Sequence, residues 1–512
     1  MTDIELITQN VHTLRMKLSL LDEAYQTVEE LEGAVISLSP TISSNSDIRR
    51  TLSATLVMDD GNAGNVLVKK MWLDKMVEAL FGMLDDSTGE VRWFSLGRYL
   101  FSNNSYSYDA STRQVQLSLV DMMAAAMEDR GSQIGTAIEI PSGSSIKSAF
   151  EAAVARFTPY KRTNVCEFDD TVPYDIETNR GSYAIDTLRS LLNIFPYYEM
   201  FYDKTGTFVV RKIPMQTDEA CVISADVMSQ IVISESGGTD FSDIKNATEI
   251  WGRSIDAGYT AASCAHTGNQ YTLVFGSTFE ALEDSMTYSF TPDVDCEAGQ
   301  TIKVQDLDAV ALYTQSEDVY TAITAGAMLK DRPYVVKYSV LSANDENDPS
   351  AVVKRFVLQG PSEIHAMCME YNVQPSASVI SGLKTTYDCE DIGIVVNPDS
   401  PFAIDYHADN GARGNGIILQ VLSDGEYDNI TTTDLALQRA SYENWKKTRL
   451  KDVVHISSLF VPWLDVNQKI EYTSIMTGET HQYIVQEISA NTNEFTMDLT
   501  LQRFYSYYPW LT

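Results

Sequence analysis

Hydrophobic and polar residues alternate along much of the chain. From Arg49 to Met58, the residues Leu52, Ala54, Leu56 and Met58 fall on one face, and Val115, Leu117 and Leu119 alternate with Gln114, Gln116 and Ser118. A period of two sets one face of a strand on a core and the other in water. Tyr106 and Tyr108 alternate with Ser105 and Ser107 ahead of a turn at Asp109 to Arg113, which predicts an antiparallel hairpin with aromatics on one side. Upstream, Leu14, Met16, Leu18 and Leu20 are separated by Arg15, Lys17 and Ser19. They predict a strand over residues 12–21, with residues 31–42 as its partner. Between Leu67 and Leu84 the residues Trp72, Met76, Ala79, Leu80 and Met83 recur near every 3.6 positions, the period of a helix. The strands together predict a closed or nearly closed barrel, which disposes of open sheet edges.

Residues 121–127 read as a short helix, and the period then changes. After a Gly/Ser-rich connector over 130–143, Ile146, Ala149, Phe150, Ala153 and Phe157 form one stripe, and Ile185, Leu188, Leu192 and Phe195 form another that Pro196 stops. Runs at 197–202 and 207–213 flank the loop Asp203-Lys204-Thr205-Gly206, so a hairpin packed on helices is expected there. Strand character returns over 231–251, at 271–275, at 301–304 and at 352–358. A helix is expected over 321–329, and Asn344 to Pro349 reads as a solvated loop. Residues 433–450 predict a helix capped by Thr433 or Asp434. Lys446, Lys447, Arg449 and Lys451 gather at its end, where cations suit the helix dipole. Residues 469–472, 481–488 and 494–501 predict a three-strand meander with Phe495, Met497, Leu499 and Leu501 on one face.

With 512 residues the chain is too long for one core. Its 44% hydrophobic and 21% charged residues are those of a folded protein, and its Tyr count of 27 favours strands and interfaces. Lys plus Arg 37 against Asp plus Glu 71 leaves a net charge of -34, which opposes a stable grip on nucleic acid or anionic lipid. The six cysteines are dispersed and none stands in a C-x-x-C pair, as expected of reduced thiols, although the even count leaves a disulfide formally open. The start MTDIELITQN shows no basic leader before an apolar run, and no segment approaches the ~18 apolar residues of a membrane span, so no membrane anchor is expected.

Several segments resemble the baseplate hub family of phage tails. They are the Asp-x-Arg-Arg strand at Asp47 to Arg50, the Trp-Phe-x-x-Gly-x-Tyr strand at Trp93 to Tyr99, the Tyr-x-Tyr-Asp turn at Tyr106 to Asp109, and Val120-Asp121-Met122-Met123. The cassette GSYAIDTLRSLLNIFPYYEMFYDKTGTFVVRKIP, the strand IKNATEIWG, and the C-terminal run from Pro462-Trp463-Leu464-Asp465 through KIEYTS to FYSYYP resemble the same family. Each motif is weak alone, and their order carries the likeness. The resemblance implies a mainly β, multidomain fold with α+β insertions: a first β-barrel over 1–130 completed by 222–255, a helix/hairpin domain over 131–221, a second β-rich domain over 256–430, and a C-terminal helix plus meander over 431–512. It also implies a trimeric ring whose two barrel-like domains per subunit meet a hexameric tail tube. Its neighbours would be tube and distal tail proteins, a tape measure protein, and a spike or fibre. No lytic or sugar-binding module follows Thr512, so a hub alone is expected, made in the bacterial host and residing in the virion tail.

Candidate chemistry is sparse. No P-loop, G-x-S-x-G, H-E-x-x-H or Rossmann fingerprint occurs. Asp405, His407 and Asp409 have metal-ligand chemistry, but their spacing of two suits a polar strand face better. His365 with Cys368 lacks the second pair that a closed site needs. Asp59-Asp60-Gly61-Asn62 and the acidic loop at Asp345 offer hard oxygens without EF-hand spacing. The run Gly411 to Gly416, with Arg413, lacks a following helix start for a phosphate cradle, and the basic group from Lys446 to Lys451 fits a helix terminus better than DNA. No catalytic residue, cofactor site or metal site is therefore expected, and the protein reads as a non-enzymatic structural component. The alternatives are a hexameric distal tail protein, a tail-associated cell-wall hydrolase, and a carbohydrate-binding protein with Trp and Tyr exposed on one sheet face.

Overall fold

Strands form where the alternating pattern finds a second strand to cover its apolar face. The computed structural model describes residues 2–32, 35–57, 75–102, 108–109, 114–127, 132–195, 197–214, 220–240, 244–255, 257–316, 319–342, 352–398, 400, 402–405, 416–448 and 451–503. After a capped turn of helix at Asp3–Ile7 come β1 (Leu14–Leu21), β2 (Thr27–Glu32), β3 (Val35–Ser43), β4 (Arg50–Val57), β5 (Met76–Asp85), β6 (Glu90–Phe101), β7 (Tyr108–Asp109) and β8 (Gln114–Val120). In β4, Arg50, Leu52, Ala54 and Leu56 are buried while Thr51 and Ser53 are exposed, which is the expected alternation.

Two local expectations fail here. The segment read as a helix over 67–84 is a strand from Met76 onward, and residues 58–74 lie outside the described residues. Val77, Ala79, Phe81 and Met83 also recur every second position, and pairing with β1 on one side and β6 on the other selects that period. The partner of β1 is β2 together with β5, whereas residues 35–43 form β3 beside β4.

Asp121 caps a 3₁₀ turn at Met122–Ala126, accepting from Met123 N at 2.9 Å. Beyond it lie β9 (Ile138–Ile140), the helix Ile146–Phe157, β10 (Thr163–Val165), β11 (Ile176–Thr178), the helix Ala184–Leu192, β12 (Tyr198–Tyr202) and β13 (Phe208–Lys212). The expected hairpin is β12 with β13, and Gly206 takes φ +76° in its loop. Phe150, Leu188, Tyr202 and Phe208 bury with Met122 and Met123 in one core. A helix at Ala225–Ile231 then leads into β14 (Val232–Asp240).

Residues Ile244–Thr448 form a compact unit of their own. It holds β15 (Ala247–Ser254), β16 (Tyr259–Thr260), β17 (Ser263–Thr267), β18 (Gln270–Val274), β19 (Thr287–Phe290), β20 (Thr301–Val304), β21 (Val310–Ser316), β22 (Val319–Ala322), β23 (Tyr334–Ser342), β24 (Val352–Pro361), β25 (Glu363–Tyr371), β26 (Ile392–Val396) and β27 (Leu419–Leu422). Strands β16 to β24 make a nine-stranded sheet around Tyr271, Tyr288, Phe290 and Phe356. The helix expected over 321–329 is absent from these described residues: β22 ends at Ala322, and Gly326 at φ +80° turns the chain. A second sheet, in the order β26-β25-β15-β27, is covered on both faces. Ala436 and Ala440 of the helix Thr433–Lys447 pack on Ile364, Ala366 and Cys368, while Leu383 and Tyr387 of the helix Ala377–Tyr387 pack on the Met367 and Met369 side. Double coverage explains the near-continuous apolar run of β25. The N-cap of the later helix is Thr432, one residue before the expected cap.

The chain then returns as β28 (Lys451–Leu459), β29 (Lys469–Thr473), β30 (Thr480–Asn491) and β31 (Thr496–Arg503), the expected meander preceded by one more strand. These do not form a separate domain. One 13-stranded sheet runs β14-β28-β31-β30-β3-β4-β8-β6-β5-β1-β2, with β29 on β30 and β7 on β8, and early and late strands join where Thr41 lies opposite Ser489. Phe495, Met497, Leu499 and Leu501 share a core with Leu18, Leu52, Phe81 and Leu119. The first compact unit is therefore Met1–Asp243 with Arg449–Thr512. Residues 131–221 and β14 lie within it, β15 lies in the other unit, and residues 431–512 are divided between the units just after their helix. The physical reason is the apolar face of β28, β30 and β31, which is buried against the N-terminal strands.

Candidate functional site

Most of the weighed chemical candidates lie wholly or partly outside the described residues. Asp405 accepts from Asn372 Nδ2 at 3.0 Å, next to Ile404, which bridges Tyr371 in parallel, while His407, Asp409 and Arg413 lie outside the described residues. So do Asp59 to Asn62 and the loop at Asp345. Gly416 is described, and its carbonyl accepts from Asn246 Nδ2 at 2.8 Å. His365 and Cys368 sit apart on β25. His365 stacks on Trp251 with centroids 3.8 Å apart, and its Nε2 lies 2.7 Å from Glu249 Oε1, which also accepts from Trp251 Nε1 at 3.0 Å. Cys368 is fully buried with Ile364 and Ala440, and burial pushes its thiol up to about 12. Lys446 pairs with Glu443 at 3.3 Å within its own helix. All six cysteines are free thiols, and among the described residues no group of three His, Cys, Asp or Glu stands together.

The residues that do converge come from the recurring sequence motifs. Because Arg50 occupies an inward position of β4, its guanidinium enters the core of the first unit. Its Nη1 donates to the Tyr202 carbonyl at 2.7 Å, its Nη2 pairs with Asp465, and its backbone N–H donates to Asp121 Oδ2 at 2.8 Å. Arg49 Nη2 donates to Glu199 Oε2 at 2.5 Å. Glu199 also accepts from Arg211 Nε at 2.7 Å and from Asn467 Nδ2 at 2.5 Å. The Arg49 guanidinium lies 3.7 Å from the Phe201 ring centroid, a cation–π contact for the nitrogens that have no hydrogen-bond partner among the described residues. At the rim, Asp47 pairs with Arg189 of the helix Ala184–Leu192. Trp463 packs on Phe94 at 5.6 Å between centroids.

Three guanidiniums thus face three carboxylates inside one unit. Burial pushes Arg49 below its ordinary value, against the pull of Glu199. Burial also pushes the Asp121 carboxyl up to about 6, although the N–H groups of Arg50 and Met123 and both guanidiniums favour its charge. Each of the three carboxylates already accepts a hydrogen bond from the protein. A cavity beside Arg50, Lys204, Trp463 and Asp465 has room for about 20 Å³, the scale of one water. The chemistry of the node is that of a rivet joining the Asp-x-Arg-Arg strand, the turn at Asp121, the α+β cassette and the Pro-Trp-Leu-Asp segment.

Arg49, Arg50, Asp121, Glu199, Arg211, Asp465 and Asn467 all fall within the quoted segments, but their partnership is not visible in the sequence. The available signal was a carboxylate in the otherwise apolar run Tyr197 to Tyr202, because a charge buried in a strand needs a partner.

Residues 399–508 match the model of a family described as Domain of unknown function (DUF5048). No curated protein matches the chain. Solved structures with a similar outline include the 43 kDa tail protein of a Shewanella oneidensis prophage, at 7% identity and TM-score 0.46, covering 96% of this chain and 98% of that one. The tail protein of Neisseria meningitidis has 8% identity and TM-score 0.44, covering 95% and 96%. A prophage tail protein of Listeria monocytogenes has 7% identity and TM-score 0.39, covering 95% and 94%. Among the described residues no helix is long and apolar enough to cross a membrane.

Proposed function

We propose that this chain is a structural, non-enzymatic component of a bacteriophage or prophage-derived tail, and that three copies close into a hub ring between the hexameric tail tube and a spike or fibre. The observation that carries the reading is the convergence of the hub-like motifs. Residues from four separate motifs meet in one buried node, as expected if the motifs persist to hold a common framework together. Within the single 13-stranded sheet, β1 to β8 lie on one side of the β3–β30 join and β14 with β28 to β31 on the other. If each half of the sheet presents one docking face, a threefold ring has six. The channel would pass the tape measure and the genome, and with a net charge of -34 an acidic bore would repel DNA weakly and keep it from sticking.

Mass photometry of the purified protein at rising concentration tests the assembly. Trimers are expected, and a hexamer would overturn the reading in favour of a distal tail ring. Clearing of peptidoglycan by the isolated chain in a zymogram would overturn its non-enzymatic part.

A further inference from the structure

Strand β14 is the outermost member of the 13-stranded sheet. β28 pairs with one side of it, and among the described residues nothing pairs with the other. Open edges are usually blunted by lysine, proline or a projecting charge. From Ile231 to Gly238 the only charged residue is Glu235, and its carboxylate is already engaged. It accepts from Tyr472 OH at 2.8 Å, Ser474 Oγ at 2.7 Å and Ile475 N at 2.6 Å. The remaining rim residues Ser234, Ser236, Gly237 and Gly238 are small and exposed, and a Cβ on Gly238 would meet nothing within 4 Å.

The same three bonds brace the turn between β29 and β30 beside this rim. At this turn Ile475 and Met476 are 67% and 83% exposed, and Ile233 on β14 is 58% exposed. Among the described residues, an unpaired backbone edge whose charges are the engaged Glu235 and the terminal Asp240 therefore lies next to exposed apolar side chains on a strongly acidic molecule.

We infer that β14 accepts an added β-strand from a partner protein: an extended segment, apolar at alternate positions and free of acidic residues. Nine residues of edge span about 30 Å, and so narrow a strip falls short of the roughly 800 Å² per partner that a standard interface between folded proteins buries. It suits an extended peptide, for which main-chain hydrogen bonds supply affinity and side-chain contacts supply selectivity. The charge of the whole chain favours a segment with basic flanks.

The test uses the full chain and the synthetic peptide Lys-Thr-Val-Thr-Val-Thr-Val-Lys, blocked at both ends, with amide hydrogen exchange read over residues 232–240. Saturating peptide is expected to slow exchange there at least tenfold. Ser236 and Gly237 direct their N–H groups to opposite sides of the extended strand, so one of Ser236→Pro and Gly237→Pro should remove the effect, and Met476→Asp, at a solvent-exposed position, should weaken peptide binding at least fivefold. Unchanged exchange at saturation, or protection that survives both proline variants, would overturn the inference. So would protection that rises with protein concentration without peptide, because the occupant would then be a second copy.

Discussion

Arg50 sets the problem of placing a cation in a β core, and the surrounding residues show how it is met. Its partners leave no gain from truncation: Arg50→Met would strand the buried Tyr202 carbonyl and leave the partly buried Asp465 carboxylate with the Val466 N–H alone. Urea unfolding of the first unit is expected to show a loss of about 3–5 kcal/mol for that variant, with much of it recovered in Arg50→Met/Asp465→Leu, where both charges are gone. Recovery measured by the double-mutant cycle checks that the node is held by pairing. Acidity acts on two carboxylates in opposite directions. Asp121, pushed up to about 6 from an ordinary 3.8, is favoured in its protonated form by folding. Its charge therefore costs stability fully above about pH 6, and the cost fades as pH falls towards 3.8. Asp121→Asn should flatten the stability profile in that window, by about 1–3 kcal/mol between its ends. Glu235 is held below its usual 4.5 by Ser474, Tyr472 and the Ile475 N–H, which outweigh the opposing effect of burial. Its contribution is present above 4.5 and is lost as pH falls through its depressed value. None of this pairing was legible in the sequence, since Arg50 and Asp465 are separated by 415 positions. What was legible was that Arg50 shares the inward parity of Leu52, Ala54 and Leu56.

Among elements, the β12–β13 loop shows how a turn becomes a joint. Gly206 combines φ +76° with close packing: a Cβ there would lie 2.8 Å from Met122 Cε and Sδ and 2.9 Å from Tyr25 Cε1. Tyr25, from the β1–β2 turn, is itself covered by the Arg162 guanidinium at 3.8 Å and faced by Arg98 at 5.1 Å. Gly89 has a similar φ of +71° with nothing within 4 Å of its Cβ position. Gly89→Ala should cost only the backbone strain of about 1–2 kcal/mol, and Gly206→Ala should cost clearly more and lower the melting temperature further. Equal shifts would mean that the joint yields without strain. Elements were legible where a single period dominated, as in β4, the helix Ile146–Phe157 and the closing meander. They were misread where two periods coincided, as over 76–85. They were also hard to place where pairing is non-sequential, as in β21, which lies parallel to β24 in the second unit.

At the scale of the whole molecule, the chain leaves the first unit after Asp243 and re-enters it at Arg449. The crossing points are set by one antiparallel pair, in which Asp240 of β14 lies opposite Lys451 of β28. Replacing residues 241–450 with an Asn-Gly turn should therefore close a hairpin and leave a folded, cooperatively unfolding first unit, as read by circular dichroism and urea titration. A molten product would show that the first unit depends on the residues removed. Sequence composition indicated several units, but not that the last strands belong with the first, because apolar alternation says that a strand has a covered face without saying what covers it.

The join between β3 and β30 carries a temporal cost. Thr41 waits for Ser489, and at ribosomal speed that interval is on the order of half a minute. Until then the nascent chain exposes the flank of β3 and half of a greasy interior. Clumping of ribosome-bound chains is therefore expected to be greatest in the interval before Ser489 emerges.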